Sequence, residues 1–184
     1  PSQLRISPAI LVSVLSYTAA ISAFVAANKL TTAANAIVLQ YTAPVFVFLF
    51  SRLVLGEKVS RLNGLALGVA MLGVAIISFD SAGEPEMAGV LLALLSGVLF
   101  AAYMINLGRT KSVSAVYLTW INNLVCALLL FLIVKSRLGL SLNQVMILAV
   151  MGAVQLGMPY FLFSKGLQSV SLPEASLIAL IAPL

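Results

Sequence analysis

The chain has 184 residues, of which 62% are hydrophobic and only 8% charged, with a net charge of +5 and a mean hydropathy of +1.15. A water-soluble domain carries roughly a quarter charged residues, so a fully hydrated surface is excluded and the solvent of this chain is lipid. Its basic residues are scattered between apolar runs, which suits membrane loops and excludes nucleic acid as a partner.

Apolar runs follow one another along the chain. The first span covers about residues 9–28, preceded by Arg5, and the link Lys29-Leu-Thr-Thr32 leads into a second over about 33–55. A soluble helix would show a polar stripe, but between Ala36 and Phe50 only Gln40, Tyr41 and Thr42 bear hydrogen-bonding side chains. This span carries Pro44 in mid-run and stops abruptly at Gly56-Glu57-Lys58. A third span covers about 62–79, and the acidic link Asp80-Ser-Ala-Gly-Glu-Pro-Glu86 separates it from a fourth over about 88–108. The fifth covers about 114–134 and the sixth about 142–164, while a seventh begins near Ser171. Each complete span has 18–23 residues, near the roughly 20 needed to cross the hydrocarbon core. The fold class is therefore an all-α, polytopic membrane helix bundle with six complete spans and the start of a seventh. The chain begins at Pro1 and ends within the apolar run to Leu184, which points to a segment of a longer protein.

Loop charge sets the orientation. With the first span starting in the cytoplasm, that side holds Arg5, Arg52, Lys58, Arg61, Arg109, Lys111 and Lys165, against Lys29, Lys135 and Arg137 opposite. The excess makes loops 52–61 and 109–113 cytoplasmic by the positive-inside rule.

An internal repeat is visible at a shift of 139 residues, which places Phe24 on Phe163, Ala36 on Ala175, Ala43 on Ala182 and Pro44 on Pro183. Thr32 falls on Ser171 and Ala27 on Gly166. The second span then corresponds to the seventh, five spans later. Five being odd, the two copies cross the bilayer in opposite directions, as in transporters built from inverted repeats with the substrate site between them.

The segments Ala27-Asn-Lys-Leu-Thr-Thr-Ala-Ala-Asn-Ala36, Pro44, Gly56-Glu57 and Asn63-Gly64, with Gly68 and Gly73, resemble the EamA-type half of the drug/metabolite transporter superfamily. Ser169-Val-Ser-Leu-Pro-Glu-Ala175 and Ala182-Pro183 resemble the same place in the second half. The resemblance covers nearly the whole chain. It implies two inverted five-helix repeats in an inner-membrane transporter, residues 1–80 holding the last three helices of the first and 81–184 a truncated second. It also implies amino acids or drug-like amphiphiles as substrates.

Candidate site residues are polar or aromatic groups at mid-span. Pro44 removes a backbone donor and should kink its helix one turn earlier, near Gln40. Gln40 and Tyr41 then either offer hydrogen bonds to a substrate or bond a neighbouring helix. Pro159 should bend the sixth span near Gln155 and Tyr160, and Pro183 would kink the seventh. On the fifth span Trp120 and Asn123, three residues apart, share a face near Asn122 and Tyr117. They either line a wet cavity or join helices. Tyr17 and Tyr103 complete the set of cavity candidates. The glycines at 64, 68, 73, 97, 152 and 157 are expected to permit close helix contact, and Ser171, Pro173 and Glu174 to start a helix.

No Asp, Glu or Lys lies at the centre of a span, so an intramembrane acid relay is not visible. No histidine is present, and the single cysteine is Cys126. An internal disulfide, a His/Cys metal site and a Ser-His-Asp triad are thus excluded, and no cofactor is expected. The resulting expectation is a non-enzymatic secondary transporter that exports or exchanges small organic metabolites by alternating access. Its partners would be a small-molecule substrate and the lipid bilayer, with a homodimer as an allowed assembly. The rival is a non-transporting membrane scaffold or regulatory protein that buries Gln40, Asn123 and Gln155 in dry helix contacts.

Overall fold

The computed structural model describes residues 8–56, 60–80, 86–110, 113–134, 139, 141–167 and 169–179, with backbone alone at 70, 74, 75, 77–80, 134 and 156. All regular structure among them is helical: α1 (Pro8–Leu30), α2 (Ala33–Gln40), α3 (Ala43–Val54), α4 (Arg61–Asp80), α5 (Met87–Arg109), α6 (Ala115–Val134), α7 (Leu142–Met151), a π-helical stretch (Gly152–Gly157), α8 (Met158–Gly166) and α9 (Leu172–Ala179). Lipid cannot hydrogen-bond a bare backbone, so helices satisfy these groups within each span.

Five helical stretches among the described residues are long and apolar enough to cross a bilayer: Pro8–Leu30, Ala33–Val54, Met87–Arg109, Ala115–Ile133 and Leu142–Gly166. α4 adds 20 helical residues, with a described apolar stretch over Arg61–Gly73. Large apolar side chains point outward all along the bundle, among them Leu15, Leu62, Ile133 and Leu142. In water such a surface would aggregate, whereas in a bilayer it is the solvated face.

Local signals end the elements where the residues require it. The Thr32 side chain accepts from the Asn35 N–H and starts α2. Ser141 and Gln144 form a reciprocal capping box at α7. The Ser171 N–H donates to the Glu174 carboxylate at 3.2 Å, so Glu174 serves the start of α9. Gly56 follows α3 with φ +66°, a left-handed conformation that favours glycine and turns the chain out of the helix.

α1 packs along α5 more extensively than any other pair. Both helices bury small residues, among them Ala20, Ala23 and Ala27 on α1 and Ala93, Ser96 and Ala101 on α5. At one end, a methyl on Gly89 would lie 2.9 Å from the Leu30 carbonyl carbon. Around this pair, α2 and α3 lean on α5, α6 on α1, and α9 on α3. The larger core joins Ile10, Tyr17, Val47, Tyr103, Met104 and Leu118 with flanking aromatic rings.

The expected glycine contacts divide. Gly97 is closely packed, but no described atom lies within 4 Å of a methyl built on Gly64, Gly68, Gly73 or Gly152. At Gly157 only the neighbouring turn of its own span, at Gly152, comes near. Among the described residues α4 makes only slight contact with the bundle, chiefly with α2 and α9, and Gly64 and Gly68 are exposed.

Candidate substrate cavity

The two described spans with a mid-run proline depart from the regular α-helix near the position where the N–H is missing. Pro44 cannot donate to the Gln40 carbonyl, and α2 ends at Gln40, with Tyr41 and Thr42 in a turn before α3. The Thr42 hydroxyl donates to the Leu39 carbonyl at 2.7 Å and closes that turn. Gly97 of α5 lets the break settle against it, since a methyl there would sit 3.2 Å from both the Gln40 carbonyl and the Thr42 hydroxyl. In the sixth span Pro159 follows the π-helical stretch, where the Met158 N–H reaches back to the Ala153 carbonyl. The widened turn holds Gln155, at the position where Pro159 leaves a carbonyl without its helical donor. Pro183 lies outside the described residues.

The two breaks border one cavity of about 360 Å³. Gln40, Tyr41, Ala43 and Pro44 form one wall; Phe100 and Met104 of α5 form the second; Pro159, Tyr160 and Phe163 of α8 the third; Ser176 and Ala179 of α9 the fourth. Among the described residues, no carboxylate, ammonium or guanidinium lines it. Its chemistry is aromatic and thioether surface with an amide, two phenols and a hydroxyl at fixed points, which suits an organic solute that is partly apolar and partly hydrogen-bonding.

Behind this cavity lies a polar-aromatic cluster. The Tyr17 ring meets Tyr103 and Tyr160, each with centroids 5.2 Å apart, the second pair edge-to-face at 89°. Phe100 links Tyr103, at 5.9 Å, to Phe163, at 6.3 Å. The Tyr17 hydroxyl donates to Asn123 Oδ1 at 3.1 Å, and Asn122 Nδ2 approaches the Tyr103 hydroxyl at 3.5 Å. Tyr17, Tyr103 and Asn122 are almost fully buried.

The sequence-derived candidates therefore fall into four places. Gln40, Tyr41 and Tyr160 share the cavity with Pro44 and Pro159. Tyr17 and Tyr103 sit in the cluster behind it, where Asn123 bonds Tyr17. Trp120 is 58% exposed and, with Asn123, lines a separate open groove of about 740 Å³ against Gly152, Gly157 and Phe161. Gln155 is exposed on the outer side of the sixth span. α9, at the start of the seventh span, supplies a wall of the cavity, and no described residue of the fifth span lines it. Phe100, Met104, Phe163 and Ser176 were not anticipated, although a signal existed for two of them. Phe100 and Phe163 stand three residues from Tyr103 and Tyr160, the spacing of one helix face.

A family model described as the EamA-like transporter family matches residues 1–79 and 87–184. The chain belongs to this family. It is 28% identical over 169 residues to an uncharacterized transporter of Clostridium kluyveri, covering 83% of this chain and 53% of that protein. It is 29% identical over 167 residues to an uncharacterized transporter of Archaeoglobus fulgidus, covering 89% and 59%. With the uncharacterized transporter YojE of Bacillus subtilis it shares 29% identity over 147 residues, covering 78% and 48%. This EamA-like chain spans about half the length of these curated relatives. A solved crystal structure superposes with a TM-score of 0.69 at 16% identity, covering 99% of this chain and 77% of the other. That likeness concerns the fold. The long apolar helices make this EamA-like chain a multi-pass membrane member of its family.

Proposed function

We propose that the chain forms the core of a secondary transporter that exports or exchanges small organic metabolites by alternating access, with the cavity between the two proline breaks as its substrate site. The carrying observation is that cavity: Gln40, Tyr41 and Tyr160 meet in it although 120 residues separate Gln40 from Tyr160. Its uncharged aromatic and amide lining favours amino acids or drug-like amphiphiles over phosphorylated solutes.

An inverted-repeat plan, divided at the acidic link, is supported by two features. The family match falls on either side of that link. α2 begins at Ala33 and α9 at Leu172, separated by the same 139 residues that align Pro44 with Pro183. The inner membrane, with loops 52–61 and 109–113 on the cytoplasmic face, is the location consistent with the basic loops. A dry scaffold fits poorly, because Gln40 borders open space and Gln155 is exposed.

The test is flux into and out of liposomes holding the full-length protein, with L-leucine, L-phenylalanine, L-threonine and ethidium as probes. At least one probe should move faster than through empty vesicles, and Gln40→Ala and Tyr160→Ala should change its apparent KM without loss of membrane insertion. Background flux for every probe from verified folded protein would defeat the proposal.

A further inference from the structure

Tyr160 needs a support from outside its own helix. It follows Pro159 and the π-helical stretch Gly152–Gly157, where the regular backbone ladder is interrupted, yet its ring forms part of the cavity wall. The support comes from α1. The Tyr17 ring meets the Tyr160 ring edge-to-face, with centroids 5.2 Å apart, and Tyr17 is only 2% exposed.

The head of Tyr17 is fixed in turn. Asn123 Nδ2 donates to the Thr119 carbonyl of its own helix at 2.9 Å, which aims Oδ1 at the Tyr17 hydroxyl, 3.1 Å away. A phenylalanine at position 17 would keep the ring contact and shed the only group that needs a partner in a buried site. The hydroxyl is thus the part that turns a packed ring into a located one. The contact also crosses the acidic link, with Tyr17 on one side and Asn123 and Tyr160 on the other.

We propose that Tyr17 is a positioning residue for the cavity: anchored through its hydroxyl on Asn123, it holds the Tyr160 ring at the setting in which that ring receives the apolar part of the solute. This rests on the cavity being the substrate site. Tyr17 itself does not line the cavity and acts through Tyr160.

The test labels tyrosine, including the five in this chain, as 3-fluorotyrosine in the full-length protein, held in phosphatidylethanolamine–phosphatidylglycerol nanodiscs. Tyr160→Phe assigns the Tyr160 fluorine resonance. Tyr17→Phe and Asn123→Leu should each shift or broaden that resonance to a similar extent, and the double variant should go no further than either alone. Leu15→Ala, on the lipid face of α1, should leave it in place. In liposomes with L-phenylalanine or ethidium, both variants should raise the apparent KM by about 3- to 10-fold, with Vmax within about twofold. An unmoved Tyr160 resonance in both single variants, or additive effects in the double, overturns the positioning role. A moved resonance together with flux insensitive to Tyr160→Phe and Tyr160→Ala would instead retain the positioning contact and remove the cavity as the substrate site.

Discussion

Gly89 and Gly64 are the same residue type in similar apolar surroundings, yet their neighbours set opposite outcomes. A methyl on Gly89 would strike the Leu30 backbone at 2.9–3.0 Å, and a backbone cannot swing aside as a side-chain tip can. Gly89→Ala should destabilise the protein by about 1–3 kcal/mol, measured as a lower apparent melting temperature in detergent. Gly64→Ala meets no described atom within 4 Å and should stay within about 0.5 kcal/mol of the parent, or gain slightly from helix propensity. Residue chemistry was partly legible in advance. Amides and phenols at mid-span are conspicuous in so apolar a chain, which singled out Gln40, Tyr41, Tyr103, Asn123 and Tyr160. The direction each side chain faces was not legible, and so Trp120 and Gln155, equally conspicuous, lie away from the cavity.

At the scale of elements, proline is the feature that sequence states most directly. A missing N–H at position 44 requires a break near Gln40 whatever surrounds it, and α2 ends there. Pro44→Ala should restore a continuous helix over Ala33–Val54. Pulsed dipolar spectroscopy between spin labels on the outward-facing Ile37 and Leu49 should then lengthen toward the roughly 18 Å axial separation of a straight helix. An unchanged distance would assign the break to packing against Gly97 instead of to the proline. Pro159 is the parallel case with a different answer. There the span stays helical and absorbs the defect as a wider π-helical turn, a choice that depends on neighbouring contacts. Pro159→Ala should slow amide hydrogen exchange over 155–159, read by mass spectrometry, as the regular ladder is restored.

For the whole molecule, lipid governs what the chain exposes, and the loops govern which way it is threaded. Orientation is tested with single cysteines in a background where Cys126→Ser is combined with removal of any cysteine elsewhere in the full-length protein. A cysteine at Ser60 should react with an impermeant maleimide added from the cytoplasmic side, and one at Ser141 only from the opposite side; the reverse pattern would invert the assignment. Length, hydropathy and basic loops were sufficient to specify an all-helical membrane bundle, because a backbone in hydrocarbon has no other way to satisfy its donors and acceptors within a single span. The prolines at 44 and 159 were also sufficient to locate the two defects among the described residues, because proline lacks its donor in any environment. Only the tertiary structure decided which faces meet. Spans that are apolar all round carry no stripe to distinguish a lipid-facing side from a protein-facing one, so the tight α1–α5 contact, the Tyr17–Asn123 bond and the entry of α9 into the cavity wall arise from how the helices fit against one another.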